Sequence, residues 1–374
     1  MGSGGEVDRE TRRHGDGEIG ELWSGEVDES TSPYRYRAMI GTGGIGSGMF
    51  FALDGDHTLG REESRSGRFL DRRDYCKLHI VSHYAQSLLG PSFTTIPIGK
   101  VGQDAVGDHL LAEMREVGLD LRYVERVEDK PTLFDLCFIY PDGSGGNLTA
   151  NDSACAMVDG ASVAQAEADF VQFAERGIAL ALPEVPLAAR SALLDLGSRY
   201  KFLKVASYTS GEIGPAVAEG ALCEVDLLAV NLDEAAAAAG IPAEGRPPAD
   251  IVEAAALALN KRHSGIWLTI TAGSRGSWSW DGSNLSYLAA FPATIVSTAG
   301  AGDAHLAGTL VGLVVGLPLP QAHELGALTA AMSVTSPHTI NKAITRDSLR
   351  AFTENTGRAV SEGVIRFLKT MDDR

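Results

Sequence analysis

Ser297-Thr298-Ala299-Gly300-Ala301-Gly302-Asp303 follows the apolar stretch Phe291 to Val296 and leads into an Ala/Leu/Gly-rich helical run. Small residues at such a junction let successive backbone N–H groups converge on one concavity. The start of the helix adds the positive end of its dipole, so a phosphate gathering negative charge fits there. Asp303, in the first turn, then stands beside whatever attacks that phosphate. The same residues also read as a Gly-rich strand-to-helix turn with an N-capping Asp, and taken alone they leave both readings open.

Three more segments fall in order along the chain. The first is Ile98-Gly99-Lys100-Val101-Gly102-Gln103-Asp104, running on to Gly118-Leu119-Asp120. The second is Asn231-Leu232-Asp233-Glu234 after an apolar strand-like run. The third is Leu268-Thr269-Ile270-Thr271-Ala272-Gly273-Ser274-Arg275-Gly276. With the Gly300 to Asp303 block they resemble the ribokinase-like sugar kinases of the PfkB family across Tyr36 to Ile344.

That resemblance implies an α/β fold: a ribokinase-like three-layer α/β/α Rossmann-like domain with a small β-sheet lid. It also implies ATP and Mg²⁺ as cofactors and transfer of the γ-phosphate to a hydroxyl. Asp303 would act as base, with Gly300, Ala301 and Gly302 offering amides to the phosphoryl group. Asn231 and Glu234 would orient Mg²⁺ through water, although an N-cap with its capping-box partner gives the same pattern. Thr271, Gly273 and Gly276 would shape the nucleotide loop, which also reads as a tight turn of a hairpin. Glu184, in Pro183-Glu184-Val185, falls at a family position that contacts the sugar.

Composition narrows the partners. A net charge of −17 disfavours nucleic acid, whose binding leans on Lys and Arg neutralising phosphates. Cys76, Cys137, Cys155 and Cys223 are far apart with no C-x-x-C pair, which suits a reducing cytoplasm and gives no zinc signal. No leader is recognised in the polar, acidic N-terminus. Leu306 to Leu319 is broken by glycines and ended by prolines, so it reads as a buried helix rather than a membrane span.

Residues 1–33 carry almost no apolar side chains and are expected to be disordered; residues 34–374 form the kinase domain. Strands are expected at Arg37 to Ile40, Thr94 to Ile98, Gly177 to Leu182, Phe202 to Ser207, Leu227 to Asn231 and Ile266 to Thr271, with helices over 108–117 and 186–196. Leu133 to Tyr140 with the turn Pro141-Asp142-Gly143 reads as a hairpin outside the main sheet. The lid is expected from segments near 48–70 and 130–150, its exposed edge offering a homodimer contact.

The acceptor side departs from the family. Ser47 or Gly48 stands where relatives carry an Asp, and no glycine pair precedes the helix that contains Lys77 and Val81. The charged run from Arg61 to Asp74 could hold an anionic substrate, a sugar phosphate or sugar acid, through Arg forks; it also reads as a solvated loop. Ser47, Arg68, Lys77 and Glu184 are therefore the acceptor-side candidates for a sugar-like small molecule. Ser297, the Thr335 to Thr339 loop and Ala327 depart from family positions for a monovalent cation and the base, and His305 replaces a Phe. Two rival readings remain. Gly41-Thr42-Gly43-Gly44-Ile45-Gly46 matches a dinucleotide fingerprint, but no helix of adequate length follows. A catalytically silent, kinase-like binding or regulatory protein would explain the eroded acceptor side.

Overall fold

The computed structural model describes residues 34–142 and 145–369. The tail expected to be disordered, and Gly143 of the expected turn, lie outside them. Among the described residues the strands are β1 Ala38–Thr42, β2 Gly46–Leu53, β3 Gly67–Tyr75, β4 Thr94–Gly102, β5 Tyr123–Val127, β6 Leu133–Ile139, β7 Gly145–Thr149, β8 Gly177–Ala181, β9 Leu203–Ala206, β10 Leu227–Asn231, β11 Trp267–Thr271, β12 Ser277–Trp280 and β13 Leu285–Leu288. They form a nine-stranded sheet in the order β13-β12-β11-β10-β9-β8-β1-β4-β5 and a four-stranded sheet in the order β3-β2-β6-β7.

In the large sheet the neighbours from β11 to β5 are parallel, and β12 and β13 add an antiparallel edge. Parallel strands joined by crossover helices are covered on both faces and must be apolar throughout. Every residue of β1 (AMIGT) and β8 (GIALA) is indeed buried. One apolar core packs the sheet against the helices Lys77–Leu89, Ala301–Val314 and Leu319–Ser333. The second core packs the opposite face against Leu187–Arg199, Leu232–Ala239 and Pro248–Arg262. The result is a three-layer α/β/α arrangement.

Three local expectations are refined. The apolar run Leu306 to Leu319 is not one helix: the helix stops at Val314, Gly316 turns the chain at φ +82°, and Pro318 caps a new helix beginning at Leu319. The second half of the charged run is strand β3 rather than loop. The glycines of Gly41 to Gly46 run into strand β2, not a helix, so the βαβ unit of a dinucleotide fold does not form.

In the small sheet β2 and β6 are parallel, while β3 and β7 pair antiparallel at the edges. Side chains alternate between faces. Met49, Phe69, Phe134 and Leu148 lie exposed on one side. Phe50, Asp74 and Asp135 are buried on the other. No helix among the described residues is long and apolar enough to cross a membrane.

Candidate active site

Helix Ala301–Val314 starts from Gly300, which caps it in the left-handed region at φ +75°. A Cβ on Gly300 would lie 2.9 Å from the Cβ and the carbonyl oxygen of Thr339, so only glycine fits both the dihedral and the space. The Ala301 N–H turns back to the Thr298 carbonyl at 3.3 Å. The amides of Gly302 and Asp303 occupy the first turn, where a helix has no acceptor of its own. In front of Gly302 there is open space: a Cβ built there meets nothing within 4 Å.

Asp303 faces a small cavity of about 70 Å³ that it shares with Lys77, Asn231, Glu234, Thr271 and Gly302. Lys77, in the first turn of helix Lys77–Leu89, donates from Nζ to Asp303 Oδ1 at 3.2 Å. That carboxylate is the main reason the Lys77 amine is held above its ordinary range, so the ammonium stays charged at the mouth of the amide cradle. Thr271, Gly273, Gly276, Ala301, Gly302, His305 and Ala327 line a second, mostly apolar cavity of about 510 Å³. Its walls suit a flat ring, and Gly302 borders both spaces.

Asn231 and Glu234 form the capping box of helix Leu232–Ala239. Asn231 Oδ1 accepts from the Glu234 N–H at 2.9 Å, and Glu234 Oε2 accepts from the Asn231 N–H at 2.8 Å. Glu234 still borders the Asp303 cavity, and burial raises its pKa. Hard oxygen donors at this place suit Mg²⁺ held through water. His305 turns into the core: it is fully buried, edge-on to His323 at 5.0 Å, with its pKa pushed far down.

On the acceptor side Ser47 is not brought to the others. Its Oγ donates to the Asp74 carbonyl at 3.3 Å, and strand alternation turns it to the face of exposed Phe134. Gly48 instead lies in register between Asp74 of β3 and Asp135 of β6. A Cβ there would meet Asp74 Cβ at 2.9 Å and Asp135 Cβ at 3.0 Å. The carboxylate missing from position 48 is thus flanked by two from neighbouring strands.

Asp74 Oδ2 accepts from Cys137 Sγ at 3.1 Å, and Asp135 Oδ2 from Cys76 Sγ at 3.8 Å. Asp135 Oδ1 is buried without a hydrogen-bond partner. Burial raises both pKa values. Glu184 completes this wall. Its Oε2 accepts the Lys77 N–H at 3.2 Å from a strained backbone at φ +76°, and burial lifts its pKa to about 8.

Asp74 and Asp135 are brought to the site by strand pairing and are not among the residues the motifs point to. An Asp flanked by apolar residues in Leu133-Phe134-Asp135-Leu136, on a strand whose exposed neighbour is Phe134, was the available signal. Arg68 lies farther out on β3, lining a third cavity of about 810 Å³ with Ser297, Thr298 and Ala299. Thr339 joins the two sides. Its N–H donates to the Arg73 carbonyl at 3.2 Å, its Oγ1 accepts from the Tyr75 N–H at 3.0 Å, and it abuts Gly300.

A three-layer α/β/α arrangement with a small second sheet over an Asp beside a helix-start cradle defines a class, the sugar-kinase-like α/β proteins. The pfkB family carbohydrate kinase model matches residues 81–346, and the chain belongs to that family. It is 42% identical over 65 residues to fructoselysine 6-kinase of Escherichia coli (strain K12), covering 17% of this chain and 25% of that protein. The chain thus spans about a quarter of the length of the fructoselysine 6-kinases it matches. Ribokinase of Cryptococcus neoformans var. grubii, in complex with ADP, superposes with a TM-score of 0.68 at 18% identity, over 85% of this chain and 99% of that one. Ribokinase of Arabidopsis thaliana, with ribose and ATP, gives 0.62 at 18% identity over 90% and 100%.

Proposed function

We propose that the protein is an ATP-dependent kinase that transfers the γ-phosphoryl group to a hydroxyl of a carbohydrate-like small molecule. The observation that carries this is the Asp303 carboxylate beside the charged Lys77, at the first turn of a helix whose Gly302 opens onto both the small cavity and the apolar one. ADP and ATP in the ribokinase structures support the choice of nucleotide. Its base would take the apolar cavity and its terminal phosphate the amides of Gly302 and Asp303, while Lys77 neutralises charge there.

Asp303 takes the proton of the acceptor hydroxyl as its oxygen bonds to the γ-phosphorus, and the bond from that phosphorus to the bridging oxygen of ADP breaks. Mg²⁺, when bound, spreads the charge of the phosphates; Asn231 and Glu234 would hold it through water. Asp74, Asp135 and Glu184 would accept hydrogen bonds from the acceptor hydroxyls. Residues 34–374 form one kinase unit in this reading, with the four-stranded sheet as its lid.

The silent-protein reading leaned on the lost carboxylate at position 48, and the aspartates flanking Gly48 weaken that support. Asp303→Asn tests the assignment. With an accepted substrate, turnover measured by ADP release should fall about 10²- to 10⁴-fold while nucleotide affinity holds; unchanged turnover would remove Asp303 as base. The exposed apolar face of the lid, Met49, Phe69, Phe134 and Leu148, supports a homodimer joined through that face.

A further inference from the structure

We infer that the acceptor is bipartite, with a hydroxylated head between Asp74 and Asp135 and an anionic tail gripped by Arg68 and Arg72 farther out on the same face of the lid. This deepens, and rests on, the phosphotransfer reading above. Gly48 and Ala52 lie on one face of β2, so their partners Asp74 and Arg68 share that face on either side of the bulge, and Arg68, Leu70 and Arg72 all line the 810 Å³ cavity. Cys137, whose thiol donates to Asp74, lines it too. The cavity therefore continues from the head position instead of opening elsewhere.

The charges along this face are ordered. Its inner end carries two buried carboxylates, one with an oxygen that has no hydrogen-bond partner. Its outer end carries one carboxylate, Asp54, on the wall of the same cavity, and two guanidinium groups with no ion pair among the described residues. Their neighbours are spent: Arg65 bridges Glu63 at 2.6 Å and Arg73 bridges Glu113 at 3.7 Å. Free arginines are unexpected where 49 acidic residues outnumber 32 basic ones. The β2 pairing carries a bulge between the Met49 and Phe51 rows, so Arg68, opposite Ala52, stands four β2 residues, about 13 Å, from Asp74, opposite Gly48, with Arg72 between them. That reach exceeds one sugar ring and suits a ring or open-chain polyol extended by an arm. A guanidinium fork matches a carboxylate or a phosphate at the end of the arm.

The test compares glycosides with alkyl arms of one length ending in a methyl ester, a carboxylate or a phosphate, using ADP release by the full chain. The charged arms should give kcat/KM about tenfold or more above the ester, the scale of hydrogen bonds to charged groups. The two charged arms tell which anion is preferred. Arg68→Gln combined with Arg72→Gln should abolish that preference through acceptor KM, with the KM for ATP and turnover of the ester-armed probe retained.

Equal use of ester and charged arms by the wild-type protein would overturn the anionic tail while leaving the kinase reading intact. A rise in the KM for ATP matching that for the acceptor would assign the arginines to the nucleotide instead, and so overturn it as well. If no glycoside, free sugar or polyol is phosphorylated and Asp303→Asn leaves ATP consumption unchanged, the kinase reading fails and takes this inference with it.

Discussion

Glu184 shows how one residue can carry strain and a misplaced proton together. Its pKa of about 8 has burial as its first cause, partly offset by Lys77. An unfolded Glu ionises near 4.5, so between these limits the folded chain binds the extra proton. The corresponding stability is complete below about 4.5 and is lost as pH rises through about 8. His79, His83 and His323, pushed by burial to about 3, 4 and 4, act in the other sense. Their penalty at low pH disappears as pH rises from about 4 to 6.5. Thermal stability should therefore climb on the acid side and decline from pH 6 to 9, and Glu184→Gln should flatten the decline. A melting-temperature difference between wild type and variant that stays constant over pH 6 to 9 would show that Glu184 is not protonated in the fold. Asp303 and Gly300 to Gly302 were legible in the sequence because a local segment builds the cradle. Asp74 and Asp135 were not, since only the pairing of β3 and β6 on either side of β2 places them around Gly48.

At the scale of the element, the capping box of helix Leu232–Ala239 is structural, and the proposed mechanism asks the same two side chains to serve Mg²⁺ as well. The capping box satisfies amides that a helix start leaves bare, and it fixes Glu234 at the edge of the Asp303 cavity. Asn231→Ala should cost about 1 kcal/mol of stability, measured by denaturant unfolding, and raise the concentration of Mg·ATP needed for half-maximal rate. Asn231→Asp, which also accepts from the N3 amide, should recover most of the stability. Loss of stability without any change in nucleotide dependence would reduce the pair to a cap. In the large sheet the edge strands β5, β12 and β13 were not readable, whereas the six inner parallel strands were, because buried parallel strands are apolar at nearly every position, as in β1 and β8. Strand β3 was less so: its solvent side and its cavity side are both rich in charge, leaving no apolar period to count.

For the whole molecule, the small sheet has one face toward the cleft and one turned outward. On the outward face Phe69 and Leu148 are each 59% exposed, and the Phe51 and Phe69 rings meet edge to face at 5.0 Å. These apolar side chains, interrupted by exposed Asp71 and Arg73 of β3, are the surface through which the proposed homodimer would form. Light scattering should report a dimer, and Phe69→Glu with Leu148→Glu should yield a monomer; a wild-type monomer at working concentrations would remove the lid contact. The overall architecture was legible from the order of four motifs. The pairing that aims one face of β3 inward and leaves the other bare was not, because register between strands far apart in sequence is set by packing.

Thr339 makes the two halves of the cleft mechanically dependent. Because this one residue holds the backbone of β3 and also abuts Gly300, a shift of the small sheet would be passed to the start of the helix that carries Asp303. In the proposed kinase, binding of acceptor and nucleotide would be coupled through this residue, by thermodynamic reciprocity to the same degree in both directions.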